Sequence, residues 1–161
     1  SNLDANIKFT MRDEIYKIIK ETQTTTILVT HDINDSLNIA DRILIFKAGV
    51  LQQYGDPVNM YCEPANCYCA KVLGDLNQLE IEDKTYYIRP EKIKIVEDSN
   101  FKILVEKCFF QGKEYKIFGT LNGYKWQFFS KKPLNKNEQI SIDYSSEDLI
   151  FFDSFCNNFF V

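Results

Sequence analysis

The spacing of hydrophobic residues predicts alternating helices and strands in the first half of the chain. Apolar side chains recur every three or four positions over residues 4–21, which indicates an amphipathic helix. Residues 24–30 are β-branched and apolar without alternation, as expected for a parallel strand that is covered on both faces. A short helix is predicted over residues 33–40, and two strands, over residues 42–46 and 50–54, flank a turn. This part of the chain is therefore predicted to have an α/β fold.

Two short helices are predicted at the end of this first half. Gly55-Asp56-Pro57 marks the start of one of them, because proline fits the first turn of a helix. The other covers residues 65–73 and ends at Gly74, a residue type that is common just after a helix.

From about residue 76 onward, short segments of alternating hydrophobic and polar residues replace the helical pattern. Turn signals such as Asn122-Gly123 separate them. Regular short strands of this kind predict a small all-β barrel or sandwich. We place the boundary near residues 75–77, which gives two domains, 1–75 and 76–161. The predicted strands cover residues 78–81, 85–88, 93–96, 102–108, 115–121, 125–129, 139–144 and 149–152.

The predicted strand at residues 24–30 needs neighbours that the rest of the first half does not supply. A strand that is covered on both faces normally lies inside a parallel sheet, and a parallel sheet of two or three strands is rare by itself. We therefore expect residues 1–74 to be the end of a larger α/β domain.

Composition and charge exclude several classes of function. The chain has 161 residues, of which 45% are hydrophobic, enough for one medium domain or two small ones. Its net charge is −4 with acids and bases interspersed, so the basic stripe typical of nucleic-acid binding is missing from the sequence. Its apolar runs are far shorter than the roughly 20 residues that cross a bilayer. The pattern of a secretory signal is also missing, and a cytosolic protein is expected.

Five cysteines are present, at positions 62, 67, 69, 108 and 156. An odd number argues against a closed set of disulfides. The spacing of the first three differs from the paired C-x2-C of common zinc sites, and the single histidine is distant in sequence. We expect free thiols and no metal site.

Several motifs of the first half resemble those of the ATPase subunits of ABC transporters. Residues 1–4, with the letters SNLD, are similar to the D-loop of that family, S-x-L-D. After the predicted helix and strand, His31-Asp32 resembles the switch-histidine motif. Residues 40–43 resemble the A-D-R-I element, and residues 49–57 are similar to the G-x-I-x-Q-x-G-x-P run.

The second half resembles the transport-associated OB-like domain that importer subunits of this family carry. Residues 87–91 are similar to its R-P-E signature through Arg89 and Glu91, and residues 110–115 to its F-x-G-x-x-Y strand. The resemblance implies an importer rather than an exporter. It also implies the fold class, namely an α/β fragment from the C-terminal part of a P-loop ATPase domain, followed by a small all-β OB-like barrel.

The resemblance assigns roles to the residues of the two loops. His31 would donate a hydrogen bond to the γ-phosphate of ATP, in a reaction that depends mainly on positioning and charge stabilisation. Asp32 would support the loop that holds it. Ser1 and Asp4 would lie at the nucleotide and dimer interface, and Asp4 is also a candidate cap of the first helix. Without the resemblance, His31 is more simply interpreted as a surface histidine at a strand end.

The resemblance further implies a cofactor, partners and a location. The cofactor is Mg-ATP, bound by the parent protein. The partners are a second ATPase subunit, in a homodimer, and the transmembrane permease subunits, and the location is the cytoplasmic face of the cell membrane. The phosphate loop G-x-x-x-x-G-K-[ST], the signature motif and the catalytic glutamate have no counterpart in this sequence. We expect them in an upstream part of the parent protein, and we expect the present chain alone to be inactive.

Two alternatives concern the second half. Arg89 and Glu91 form a possible regulatory motif, but Pro90 can fix a turn there and the two charged side chains can simply tie strands together. The aromatic residues are expected to fill the barrel core and a dimer contact rather than stack on bases, because few basic residues are interleaved with them. The whole half is alternatively a stand-alone regulatory or small-anion-binding module. The aromatic residues concerned are Phe109, Phe110, Tyr115, Phe118, Tyr124, Trp126, Phe128 and Phe129.

Overall fold

The computed structural model describes residues 3–153, except for the side chains of residues 3–6, 8, 9 and 12. The chain divides into two compact units, Ser1–Ala65 and Asn66–Val161. Together they make a mixed α/β protein in which the second unit is a small β domain. The helix that precedes Gly74 groups with the β-rich unit, so this division falls earlier than residue 75. The domain assignment 1–75 and 76–161 stays a prediction.

The first unit contains helices and one hairpin. β1 and β2 pair antiparallel around Ala48 and Gly49, whose φ angles of 48° and 78° are those of a type I′ turn. Ile43 and Ile45 of β1 are buried, so one face of the hairpin is packed. The hairpin predicted from the sequence is therefore confirmed. The described elements of this unit are α1 (Leu3–Thr22), α2 (Ile33–Ile39), β1 (Ile43–Lys47), β2 (Val50–Gly55) and α3 (Pro57–Cys62).

Helix α3 begins as its sequence predicts. The Asp56 side chain accepts a hydrogen bond from the backbone N–H of Asn59 at 3.0 Å, and Pro57 occupies the first helical turn. That hydrogen bond is the main reason why the pKa of Asp56 lies below its usual value. Met60 on the same helix is almost fully buried.

The strand predicted at residues 24–30 is not formed. These residues belong to neither a helix nor a strand, and the side chains of Ile27 and Val29 are 89% and 91% exposed. The physical reason is that a strand needs neighbouring strands, which the first half was not expected to supply. The described strands of the first unit, β1 and β2, pair only with each other, and residues 24–30 pair with neither of them.

The second unit is a short helix followed by two antiparallel sheets. The strand orders are β10-β4-β3 in one sheet and β5-β9-β6-β7-β8 in the other. The β-rich pattern of this half is confirmed, with every predicted strand present within a few residues of its expected place. Its elements are α4 (Cys67–Leu73), β3 (Asn77–Ile81), β4 (Lys84–Ile88), β5 (Lys94–Val96), β6 (Phe101–Phe110), β7 (Tyr115–Leu121), β8 (Tyr124–Ser130), β9 (Gln139–Asp143) and β10 (Ile150–Phe151).

Two side-chain bridges, made by Asn77 and Trp126, join the two sheets of this unit. The side-chain amide of Asn77 donates to the backbone carbonyl of Gln127 at 2.8 Å and accepts from the backbone N–H of Gln127 at 2.7 Å. The side chain thus forms the pair of hydrogen bonds that the backbone of an adjacent strand would form with Gln127. Next to it, the indole N–H of Trp126 donates to the carbonyl of Gln78 at 3.0 Å. We call the contact made by these two bridges the β3–β8 seam.

One hydrophobic core lies between the sheets of the second unit. Its members come from both sheets, and Trp126 and Phe128 are its largest side chains. Burial of these surfaces is the main driving force for folding of the unit. The core residues are Leu79, Ile88, Ile93, Ile103, Val105, Ile117, Leu121, Trp126, Phe128, Ile140 and Ile142.

The described cysteines depart in part from the expectation of free thiols. Cys62, Cys69 and Cys108 are free, as expected, whereas Cys67 is in a disulfide. Burial raises the pKa of the Cys69 thiol, which packs inside the β-rich unit.

Candidate functional site

His31 lies in a polar loop that leads directly into α2. Asp32 caps this helix, and its carboxylate accepts hydrogen bonds from the backbone N–H and the side-chain N–H of Asn34, at 2.9 and 3.1 Å. The hydroxyl of Thr30 accepts from the Asp32 N–H at 3.0 Å and donates to Asp35 at 3.0 Å. These bonds hold the backbone on both sides of His31.

The imidazole of His31 is exposed at the surface of the first unit. An exposed imidazole on a fixed loop can donate a hydrogen bond to an anionic ligand that approaches from solvent. His31 and Asp32 are consecutive in the chain, and Asp32 fixes the loop by capping α2. The roles predicted for both residues in a nucleotide site stay predictions.

The other predicted residues of this site are not described in the same detail. Ser1 lies outside the described residues. Asp4 belongs to the first turn of α1, which begins at Leu3, but its side chain also lies outside the described part. The proposed contacts of both residues at a nucleotide and dimer interface stay predictions.

Arg89 belongs to the second unit and is almost fully buried. Its guanidinium donates to the carbonyl of Ala70 at 2.9 Å and to the carbonyl of Asp75 at 3.2 Å. The first of these carbonyls lies in the last turn of α4, where the helix dipole favours a positive charge. Arg89 thus connects the helix and the segment after it to the end of strand β4. This is a structural role, like the one that the sequence analysis gave as the alternative to a regulatory motif.

Glu91 sits beside it in a single 3-10 turn that runs from Pro90 to Lys92. Its side chain is exposed, unlike that of Arg89. A regulatory role for the pair stays a prediction.

The aromatic residues divide between the core and the surface. Trp126 and Phe128 are buried, while Phe109 and Phe110 are exposed at the end of β6. Phe109 packs edge-on against Phe118 with ring centroids 5.9 Å apart. The predicted core role therefore holds for the β8 pair, and the predicted dimer contact stays a prediction.

Sequence reasoning missed a polar hollow of about 460 Å³ in the second unit. It combines α4, the start of β3 and the start of β8, so its residues are up to 54 positions apart and share no motif. Its lining residues are Lys71, Leu76, Gln78, Tyr87, Tyr124 and Lys125.

Within residues 3–153, no group of three or more histidine, cysteine, aspartate or glutamate side chains is placed to hold a metal ion. Among the helices described, none combines the length and the apolar character needed to cross a membrane.

Comparison with known proteins identifies a class that this chain resembles. Over more than nine-tenths of its length, the chain is similar to the ATP-binding subunits of ABC importers. The resemblance inferred from the sequence motifs is therefore confirmed. The chain spans about half the length of the curated relatives it matches. No protein-family model matches it.

Three relatives illustrate this similarity. The spermidine/putrescine import ATP-binding protein PotA of Acetivibrio thermocellus is 29% identical over 174 residues, covering 91% of this chain and 49% of that protein. The protein of the same name from Clostridioides difficile is 29% identical, covering 91% and 50%. The sn-glycerol-3-phosphate import ATP-binding protein UgpC of Brucella abortus is 28% identical over 180 residues, covering 94% and 51%.

Proposed function

We propose that this chain is part of the ATP-hydrolysing, energy-coupling subunit of an ABC-type solute importer. The observation that carries the proposal is the similarity to import ATP-binding proteins over 91–94% of the chain. In this proposal residues 1–75 belong to the ATPase domain and residues 76–161 form an OB-like domain of the transport-associated type. The transported solute is left open, because the relatives are named for different solutes.

The local geometry around His31 supports its role at the γ-phosphate. The loop is fixed by the Asp32 cap and the Thr30 hydroxyl, while the imidazole remains exposed. A donor that is already in place costs little reorganisation when charge develops on a transferring phosphoryl group. Ser1 and Asp4 are assigned to the neighbouring D-loop, which would contact the second ATPase subunit.

The exposed apolar surface of the first unit supports its place in a larger α/β domain. Apolar side chains of α1 and of residues 27–29 face solvent rather than a core. In a larger domain, further strands and helices would cover these side chains. The exposed residues are Ile7, Met11, Ile15, Ile18, Ile27, Leu28 and Val29.

The proposal includes Mg-ATP, partners and a location. The subunit would act with a second copy and with transmembrane permease subunits on the cytoplasmic face of the membrane. Nucleic acid is not among the proposed partners, because the net charge is −4 and acidic residues are interspersed with basic ones.

Mg-ATP hydrolysis by the full-length protein that carries this chain tests the proposal. We expect His31→Ala to reduce the rate by roughly a hundredfold or more, the scale of a lost transition-state donor. Asn38→Ala is the matched control, because Asn38 is exposed on α2 and should leave the rate unchanged.

Two results would count against it. A folded full-length protein without ATPase activity would overturn the proposed function. Full activity of a folded His31→Ala variant would remove His31 from the γ-phosphate and leave it a loop residue. Thermal unfolding of each variant separates these results from misfolding.

A further inference from the structure

The polar hollow of the second unit is lined by side chains that are suited to binding an anion. Lys71 of α4, Gln78 of β3 and Lys125 of β8 are among the residues that line it. Its volume, about 460 Å³, falls in the range of small-molecule sites, roughly 300–1,000 Å³. All of its lining residues belong to one compact unit, so the hollow is independent of the ATPase proposal.

Within the part of the chain that the structure describes, the two lysines of the hollow lack the carboxylate partners that several other lysines have. Neither Lys71 nor Lys125 lies within ion-pair distance of a carboxylate among residues 3–153, and both are exposed. Their positive charges are therefore available to a ligand. By contrast, carboxylate partners neutralise Lys17, Lys20, Lys92, Lys102, Lys116 and Lys131.

Gln78 adds a neutral donor to the lining that holds the two lysines. Its backbone carbonyl is occupied by the indole N–H of Trp126, which anchors this residue, while its side-chain amide has no hydrogen-bond partner among the described residues. Two ammonium groups and one amide supply several N–H donors, and such a set matches the oxygens of a phosphate group.

The remaining lining residues give the hollow an apolar side. Tyr87 is almost fully buried, so its ring forms a fixed wall, and Leu76 is half-buried. The hydroxyl of Tyr124 donates to the carboxylate of Glu80, and this bond raises the pKa of Tyr124. Tyr124 therefore contributes its ring rather than a free hydroxyl, and Glu80 places one negative charge near the edge of the hollow.

We propose that this hollow binds a small organic phosphate, whose dianionic group contacts Lys71, Lys125 and Gln78. Two positive charges favour a dianion over a monoanion, since each adds a Coulombic attraction. The volume exceeds what a bare phosphate fills, and the carbon part of the ligand lies against Leu76 and the rings of Tyr87 and Tyr124.

A titration of the full 161-residue chain with phenyl phosphate, followed by the backbone amide shifts in NMR spectra, tests this site. We expect saturable shifts at residues 71, 78 and 125. We expect weaker binding of inorganic phosphate and of phenol, because each of them supplies only one part of the ligand. Glu80→Gln should tighten the binding because it removes a repelling charge.

Matched variants separate the site from general charge attraction. Lys71→Gln with Lys125→Gln should weaken phenyl phosphate binding by about tenfold or more, the scale of a lost charge-assisted hydrogen bond. Lys94→Gln with Lys136→Gln changes the net charge equally at exposed positions outside the hollow, and should change the affinity by less than about twofold.

Three outcomes would overturn the proposal. These are a lack of saturable shifts in the wild-type chain, equal weakening in both double variants, and inorganic phosphate binding as tightly as phenyl phosphate. The Gln78→Leu variant provides a further check, since it keeps both lysines and should still weaken the binding. Unchanged fluorescence of the single tryptophan, Trp126, verifies folding of each variant.

Discussion

Gly119 on β7 lies directly against the neighbouring strand β6. A Cβ atom at this position would come within 2.5 Å of both Ile103 Cγ2 and the carbonyl oxygen of Leu104. Contacts this short force strands or side chains apart, because a buried core is already close-packed. The position therefore requires glycine for the space it leaves free.

We expect Gly119→Ala to lower the free energy of unfolding by about 1–3 kcal/mol, the usual cost of overpacking. Urea unfolding followed by Trp126 fluorescence measures it, because this single tryptophan is buried in the same core. Gly112→Ala is the comparison, since its Cβ would enter open space and only its left-handed φ of 83° is unfavourable. Equal losses in both variants would contradict the close-packing argument.

Asp75 makes the stability of the second unit depend on pH. Partial burial raises its pKa, but hydrogen bonds from Lys116 and Gln127 and the charges of Lys116 and Arg89 outweigh burial and lower it below the ordinary value of 3.8. A carboxylate with a lowered pKa in the folded state stabilises the fold above the unfolded value and loses that effect as the pH falls through the folded value.

We expect Asp75→Asn to lower the free energy of unfolding by at most about 1 kcal/mol at pH 7, because the side chain is 55% exposed and solvent screens the pair. The difference from wild type should shrink as the pH falls below 3.8. Urea unfolding at a series of pH values measures it. A difference that is constant down to the lowest pH would exclude the titration of Asp75 as its cause.

At the scale of single residues, the sequence predicted a contact only where the two interacting residues are close along the chain. The Asp56 cap of α3 was predictable because Asn59 is three residues away. The bridge made by Asn77 was not predictable, because its partner Gln127 is 50 residues away. Lys71 and Lys125 meet at the hollow for the same non-local reason.

The hairpin of β3 and β4 turns through two residues that are unusual for its geometry. Glu82 and Asp83 have φ angles of 49° and 62°, so both occupy the left-handed region of a type I′ turn. Asn122-Gly123 makes the same type of turn between β7 and β8 with the residues that this geometry favours.

Replacing Glu82-Asp83 by Asn-Gly should therefore stabilise the unit. We expect the double substitution Glu82→Asn and Asp83→Gly to raise the free energy of unfolding by about 0.5–1 kcal/mol, because it relieves left-handed strain at non-glycine residues. The reciprocal variant Gly123→Asp should be destabilising. If the double substitution lowered stability, the strain at the first turn would be smaller than the backbone entropy of the added glycine.

Arg89 stabilises helix α4 from outside the helix. The helix has seven residues, which is too short to be stable alone, and Arg89 binds the carbonyl of Ala70 within it. We expect Arg89→Met to cost about 2–3 kcal/mol, the scale of lost hydrogen bonds to a buried charged group. Urea unfolding is the measurement, and Lys92→Met, at an exposed lysine, is the control with a smaller expected loss.

At the scale of helices and strands, the hydrophobic pattern predicts some elements correctly and others wrongly. The alternation of hydrophobic and polar residues predicted the strands of the second unit correctly. These strands form because each one has a neighbouring strand to pair with. The apolar, β-branched run at residues 24–30 also has strand character. A strand needs hydrogen-bonding neighbours, however, and the described strands of its unit, β1 and β2, pair only with each other. Periodicity states what a segment can form, and the partners decide whether it forms.

At the scale of the whole molecule, the two units differ in how well their apolar surfaces are covered. The β-rich unit has one continuous core, whereas apolar residues of α1 in the first unit face solvent. Exposed apolar stripes of this kind favour association between chains. The α/β character of the first unit was predictable, but the exposure of α1 became visible only in the structure.

We therefore expect the isolated chain to associate at high concentration, as sedimentation velocity would show. The triple variant Ile7→Lys, Met11→Lys and Ile18→Lys should remain monomeric at concentrations where the wild-type chain associates. The matched variant places three lysines on the β-rich unit, at Ile95, Leu104 and Phe151, which are also exposed. Equal loss of association in both variants would move the contact away from α1.

The β3–β8 seam has a consequence for the order in which the second unit folds. Its bridges join positions about 50 residues apart, whereas neighbouring hairpins close over a few residues. Closing a long loop costs more chain entropy than closing a short one, so we expect the seam to form after the rate-limiting step. Asn77→Ala should then accelerate unfolding while leaving the refolding rate nearly unchanged. One buried amide group would in this way lengthen the lifetime of the folded domain.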